Sequence, residues 1–201
     1  MNREKAKLVQ MEVCATAKAM ADQGLTAGTW GNIAGRIDDT YMVITPSGMD
    51  YSKLVPENMV IVNMNTLEYE GDLKPSIEVP VHAKLLLTRP EVNGVVHVHS
   101  SKALAVAVTR KGIPSICDDQ VQILGGDIRC AGYATPGTPE VGIHAAKALE
   151  GRGGCTLANH GVLAVGKDLS QAYLNAEYIE DMAKIYILAK QVGQPVVLPG
   201  L

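Results

Sequence analysis

Apolar residues recur at helical spacing through the first segment, at Ala6, Val9, Val13, Ala17 and Met20, and predict an amphipathic helix over residues 3–23 that stops at Gly24. The period then changes. Residues 32–37 and 41–45 read as two strands joined by an Asp38-Asp39 turn, and residues 59–63 and 67–71 as a third and a fourth. Ser76 is placed to cap a helix over about 78–89 that ends before Pro90. A short strand follows at 94–99 and a helix at 101–110. Thr138-Pro139 opens another helix to about 150, since proline suits the first helical position. Residues 155–159 and 162–165 form two strands broken by His160-Gly161, and Ser170 opens a last helix to about 192. Strand pairs of hairpin type, with helices interspersed irregularly, predict an α/β sandwich around a largely antiparallel sheet. No repeat or boundary interrupts residues 1–201, so a single domain is expected.

Within this pattern, His97 and His99 break an otherwise apolar strand, Val95-Val96-His97-Val98-His99. Residues two apart in a strand point to one face, so both imidazoles project together. Two readings fit: histidines satisfied by ordinary hydrogen bonds, or two ligands of a divalent metal, which would satisfy both rings at once. His160, at a strand end before Gly161, is a third candidate that spacing alone does not select. Glu78 begins a predicted helix, where a carboxylate is favoured by the dipole; beside a metal it could ligate or act as a base. His82 and His144 fall inside helical patterns and read as non-ligands. Three turn segments, Gly31-Asn32, Ser47-Gly48 and Ser76, offer backbone N–H groups or small hydroxyls to an anion.

Composition narrows the partners. Net charge is −3, with no basic stripe, which argues against nucleic acid or anionic membrane as a partner. No apolar run approaches the roughly 18 residues of a membrane span, and residues 1–7 are charged rather than a signal-peptide core. The four cysteines (Cys14, Cys117, Cys130, Cys155) include no C-x-x-C pair and read as reduced thiols of a cytoplasmic protein. The chain has one Trp and no Phe, so its core must be mostly aliphatic.

Six segments in fixed order carry a resemblance: Gly28-Thr29-Trp30-Gly31-Asn32-Ile33, Ile44-Thr45-Pro46-Ser47-Gly48, Lys74-Pro75-Ser76-Ile77-Glu78, Val95-Val96-His97-Val98-His99-Ser100, Tyr133-Ala134-Thr135-Pro136-Gly137-Thr138 and Leu157-Ala158-Asn159-His160-Gly161. Together they resemble the class II aldolase/adducin-head family, the group of L-fuculose-phosphate aldolases and L-ribulose-5-phosphate 4-epimerases. The resemblance implies a three-layer α/β/α subunit with a central, mostly antiparallel sheet, in a homotetramer with active sites at subunit interfaces. It implies that His97, His99 and His160 ligate Zn2+ (Co2+ and Mn2+ suit the same donors). Glu78 would be the acid/base that also reaches the metal, and Gly31, Asn32, Ser47, Gly48 and Ser76 would bind a substrate phosphate. Glu rather than Asp at position 78 is similar to the aldolase branch. The implied reaction is cleavage of a ketose 1-phosphate to dihydroxyacetone phosphate and an aldehyde through a metal-stabilised enediolate. That chemistry leads us to expect a Glu78 pKa raised by desolvation.

Other activities of the same family are decarboxylation of a 3-oxo acid phosphate, dehydration of ribulose 1-phosphate, 4-epimerisation, and the non-enzymatic adducin-type interaction module. Three positions depart from the aldolase pattern. Ile77 stands where the family's loop has a second serine. The segment after Ile113-Pro114 reads Ser115-Ile116-Cys117-Asp118-Asp119-Gln120, with no tyrosine. The chain ends at Leu201, so no counterpart of the aldolase's C-terminal tyrosine is expected. Asp118, Asp119 and Gln120 would then either replace those groups or form a polar loop.

Overall fold

The computed structural model describes residues 1–199. Among these, seven strands form one sheet in the order β3-β2-β1-β4-β7-β6-β5. They are β1 (Asn32–Arg36), β2 (Tyr41–Ile44), β3 (Val60–Asn63), β4 (Gly94–Val98), β5 (Cys130–Ala131), β6 (Gly154–Leu157) and β7 (Gly161–Gly166). All neighbours are antiparallel except β5 and β6, so the sheet is mixed but mostly antiparallel.

Alternation along the strands divides the core in two. Ile33, Val43, Ile61, Val96, Val98, Val162 and Ala164 face one side and join the apolar faces of α1 (Arg3–Asp22), α3 (Ser101–Ala107), α4 (Asp118–Leu124) and α6 (Leu169–Val192). Their neighbours Ala34, Met42, Ile44, Val95, Leu163 and Val165 face the other side and pack on α2 (Val79–Thr88) and α5 (Pro139–Ala148). The result is the expected three-layer α/β/α arrangement. Each fully buried Leu, Ile or Met contributes about 1.5–3 kcal/mol, which lets an aliphatic interior replace the missing aromatics.

The departures from the sequence reading have local causes. Residues 67–71 form no strand: Leu67 adopts φ 62, and only an isolated bridge joins Tyr69 to Val62. The cap of α2 is Glu78 rather than Ser76, whose hydroxyl instead accepts the Glu78 N–H. Asp168, not Ser170, caps α6 by accepting from the Gln171 N–H. The helix after His99 stops at Ala107. Residues 118–124 are the unforeseen α4, in which Gln120 is buried. Its side chain bonds Pro114 O, Gly126 O and the Ile116 N–H, so that amide is consumed in structure. All four cysteines are free thiols.

One buried cation fixes α2 against the sheet. Arg36, at the end of β1, donates through its guanidinium to the carbonyls of Leu86, Arg89 and Val92, at the C-terminal end of α2 and just beyond it. Among the described residues no carboxylate bonds to it; three carbonyl oxygens at the helix end satisfy the charge. We expect Arg36→Met to strand these carbonyls and lower stability by about 2–4 kcal/mol, read as a lower urea midpoint at unchanged slope.

Candidate metal centre

The site forms where β4, β1, β7 and the start of α2 meet. His97 lies on the α2 face of β4, and its cross-strand partner on β1 is Asn32, so both side chains project towards that helix. His99 follows the last residue of β4. His160 sits in the turn between β6 and β7, where Asn159 adopts φ 57. Glu78 caps α2, and His82 follows one helical turn later on the same face.

Two glycines allow this closeness. A Cβ at Gly161 would lie 2.5 Å from the Val98 carbonyl oxygen and 3.2 Å from the His97 ring. Gly31 has φ +80, and a Cβ there would meet the His97 carbonyl oxygen at 2.7 Å. The buried Tyr51 hydroxyl donates to the Gly31 carbonyl (2.6 Å) and pins that turn.

The three imidazoles converge. His97, His99 and His160 each place a ring nitrogen within 4.8 Å of the others, so together they could hold a metal ion. The Nε2 atoms of His97 and His99 are 2.9 Å apart. Two nitrogens bound tetrahedrally to one zinc at about 2.0–2.1 Å lie roughly 3.3 Å apart, so a small outward shift of either ring would let them share an ion. His97 Nδ1 is 2.8 Å from the Val162 carbonyl. A carbonyl only accepts, so Nδ1 donates to it and Nε2 is the ring nitrogen turned to the cluster. Burial, then the His97 and His160 rings, push His99 down to about 3; burial and His97 push His160 down to about 4. Both are therefore uncharged at neutral pH, the form that binds a cation without first losing a proton.

Glu78 completes the cluster. Its Oε2 accepts from Asn32 Nδ2 (2.8 Å) and lies 3.1 Å from His97 Nε2. Its Oε1 is buried without a hydrogen-bond partner, 3.5 Å from His160 Nε2. The expected upward pKa shift is corrected here. Burial does push the carboxyl up, but His97, the Asn32 donor, His160 and His82 outweigh it and hold it at about 2. An anionic oxygen with no partner, aimed at the histidine cluster, suits a cation as the missing neighbour.

A cleft of ≈ 260 Å³ opens from this cluster; Gly31, Asn32, Ser47, Gly48, Ser76, Glu78, His99 and His160 line it, while His97 lies behind. Its walls are braced by backbone bonds: the Ser47 N–H donates to Lys74 O and the Ser76 N–H to Thr45 O, beside a Pro46–Pro75 bridge. Those N–H groups are therefore spent, which leaves the serine hydroxyls and Gly48 to face the cleft. The Asn32 carboxamide is spent too, held between Glu78 and His82. Trp30, Ile77 and Pro136 form an apolar, exposed rim. Asp118, Asp119 and His144 do not line it.

Sequence reasoning passed over His82 and Tyr51. The Glu78-x-x-x-His82 spacing was the available signal for His82, since residues four apart share a helix face. Tyr51 left none, because its contact with Gly31 spans a loop.

Residues 11–187 match the family of Class II Aldolase and Adducin N-terminal domains. The chain is 37% identical over 184 residues to the 5-methylthioribulose-1-phosphate/5-deoxyribulose-1-phosphate aldolase of Rhodospirillum rubrum, covering 92% of this chain and 82% of that protein. It is 36% identical over 193 residues to the L-fuculose phosphate aldolase of Escherichia coli, covering 96% and 88%. A solved L-fuculose 1-phosphate aldolase superposes with a TM-score of 0.89 at 38% identity, over 95% of this chain and 90% of that one. The chain belongs to the class II aldolase/adducin family. Within that family it is a lyase of the aldolase type.

Because Gly161 lets the His97 and His99 rings approach the β7 backbone, we expect Gly161→Ala to weaken binding of a divalent metal roughly 10- to 100-fold, measured by chelator competition.

Proposed function

We propose that the protein is a divalent-metal-dependent aldolase that cleaves a ketose 1-phosphate to dihydroxyacetone phosphate and an aldehyde. Zinc, or cobalt or manganese in its place, would be held by His97, His99 and His160. One juxtaposition carries this reading: a buried carboxylate oxygen without a partner faces three imidazoles at the head of a cleft walled by small hydroxyl and glycine residues. When bound, such an ion supplies a Lewis acid that polarises the carbonyl and hydroxyl oxygens of the sugar.

The protein's own groups do the rest. Glu78 is anionic and sits at the metal cluster, so it is the base that takes a proton from the carbon beside the carbonyl in the synthetic direction. In cleavage the hydroxyl on the departing carbon loses its proton as the carbon–carbon bond breaks to give the aldehyde, and Glu78, having taken that proton up, delivers it to the carbon beside the carbonyl. Before substrate enters, Glu78 would also be placed to reach the ion. The Ser47 and Ser76 hydroxyls, with Gly31 and Gly48, bind the phosphate, and Asn32 forms the floor beneath it. The Ser76 hydroxyl accepts from the Glu78 N–H, which leaves its own hydrogen to donate to a phosphate oxygen. Holding the phosphate there fixes the carbonyl end of the sugar against Glu78. Trp30, Ile77 and Pro136 bound the aldehyde side. That rim is open to solvent, which supports a homotetramer in which a neighbouring subunit closes it.

The first test is metal analysis of purified protein, expected to give about one equivalent per chain; under about a tenth, even after reconstitution, would sink the metal-dependent reading. With metal bound, dihydroxyacetone phosphate should appear from a panel containing L-fuculose 1-phosphate and 5-deoxyribulose 1-phosphate. Carbon dioxide from 3-oxo acid phosphates instead would move the assignment to decarboxylation. Glu78→Gln should keep the metal and lose about 10²- to 10⁴-fold in kcat; near-normal turnover would remove Glu78 from proton transfer.

A further inference from the structure

His82 is fully buried in α2, outside the three-histidine cluster, and neither its fold nor the proposed chemistry requires an imidazole there. Its Nε2 meets Asn32 Oδ1 at 2.5 Å. Asn32 Nδ2 in turn donates to Glu78 Oε2 at 2.8 Å. The order of donors is forced from one end. An ionised carboxylate accepts only, so Asn32 must present its NH₂ to Glu78 and its oxygen to His82. That oxygen needs a donor, so the His82 proton sits on Nε2. His82 Nδ1 is then a bare acceptor, and it is the ring nitrogen left buried without a partner. A chain of two directed bonds thus starts at the helix interior and ends on the carboxylate.

We propose that His82 is a positioning residue for Glu78: as the neutral Nε2–H tautomer it locks the Asn32 carboxamide so that its NH₂ orients Glu78 Oε2 and leaves Oε1 turned towards the histidine cluster. Glu78 and His82 lie four residues apart on one helix face, so the distance between the two ends of the relay is set by α2 itself. Asn32 belongs to β1, opposite His97, so the relay also sets the helix against the strand that carries the cluster. Without the His82 donor, the Asn32 amide is free to rotate, and its oxygen can turn towards the carboxylate and repel it.

The catalytic part rests on the reading of Glu78 given above; the orientation itself does not, and two measurements separate them. In metal-free protein labelled at the ring nitrogens of His82 and the side-chain carboxyl of Glu78, nuclear magnetic resonance should show a slowly exchanging N–H at His82 Nε2. The Glu78 carboxyl signal should shift in His82→Leu and return in His82→Gln, whose amide can donate to Asn32. A proton on Nδ1, or an unmoved Glu78 signal in His82→Leu, would overturn the relay whether or not the protein is an aldolase. In the metal-loaded enzyme, His82→Leu should lower kcat roughly 10- to 100-fold with KM within about twofold, and His82→Gln should recover most of it. The pair His82→Leu with Asn32→Ala should lose no more than the worse single variant. Losses that multiply, or a glutamine variant as poor as the leucine one, would reduce His82 to a packing residue. If the wild type turns over no ketose phosphate, the proposed function fails while the resonance result still decides the relay.

Discussion

A carboxylate and three imidazoles share one buried volume at the end of β4, and most of the surrounding structure exists to tolerate that. Glu78 keeps its charge with only one firm hydrogen bond, from Asn32, and leaves its second oxygen bare. Such an arrangement is costly in an empty, low-dielectric pocket and favourable beside a cation. The guanidinium of Arg36 tethers the far end of α2, Tyr51 pins the turn before β1, and two glycines let backbones touch the histidine rings. Tyr51 and the two glycines fix the walls of that volume, and Arg36 anchors the helix whose opposite end carries Glu78.

The sheet order explains why sequence-distant groups meet. β1, β4 and β7 are adjacent, so Asn32, His97 and the His160 turn become neighbours although 65 or more residues separate the first from the second and third. Apart from Asn32, Arg36 and His97, the α2 face of the sheet is aliphatic, with Val95, Leu163 and Val165 continuing beyond His97. The polar cluster therefore sits at the margin of an apolar layer. That position gives it burial on one side and a cleft on the other, which is what a binding site for a small polar molecule needs.

The His97 and His99 pair was visible in the chain because period two is enforced by strand geometry, and the two valines between and before them marked the opposite face. His160 was visible only through its surrounding motif, since no periodicity links it to β4. Short elements held together by tertiary contacts escaped: β5 has two residues, and α4 is a seven-residue helix anchored by the buried Gln120 and Leu124. Residues 67–71 alternated like a strand, yet a left-handed Leu67 broke the run. The Glu78 pKa was misjudged for a related reason. Burial can be guessed from composition and pattern, but the donors that outweigh it come from β1, β4 and a distant turn, and they appear only once the chain is folded.

The cleft is made of two unlike materials. Its inner half is built from backbone crossings and hydrogen-bonded side chains, each holding the next. Its outer half is Trp30, Ile77 and Pro136, side chains on turns, all three open to solvent. Mutational tolerance is therefore unevenly distributed: exchanges at the rim alter the shape of the cleft's mouth without disturbing Glu78 and the histidine cluster. A lineage carrying this scaffold can change what it consumes by drift at a few exposed positions, while its reaction chemistry stays anchored in the part of the fold least able to vary.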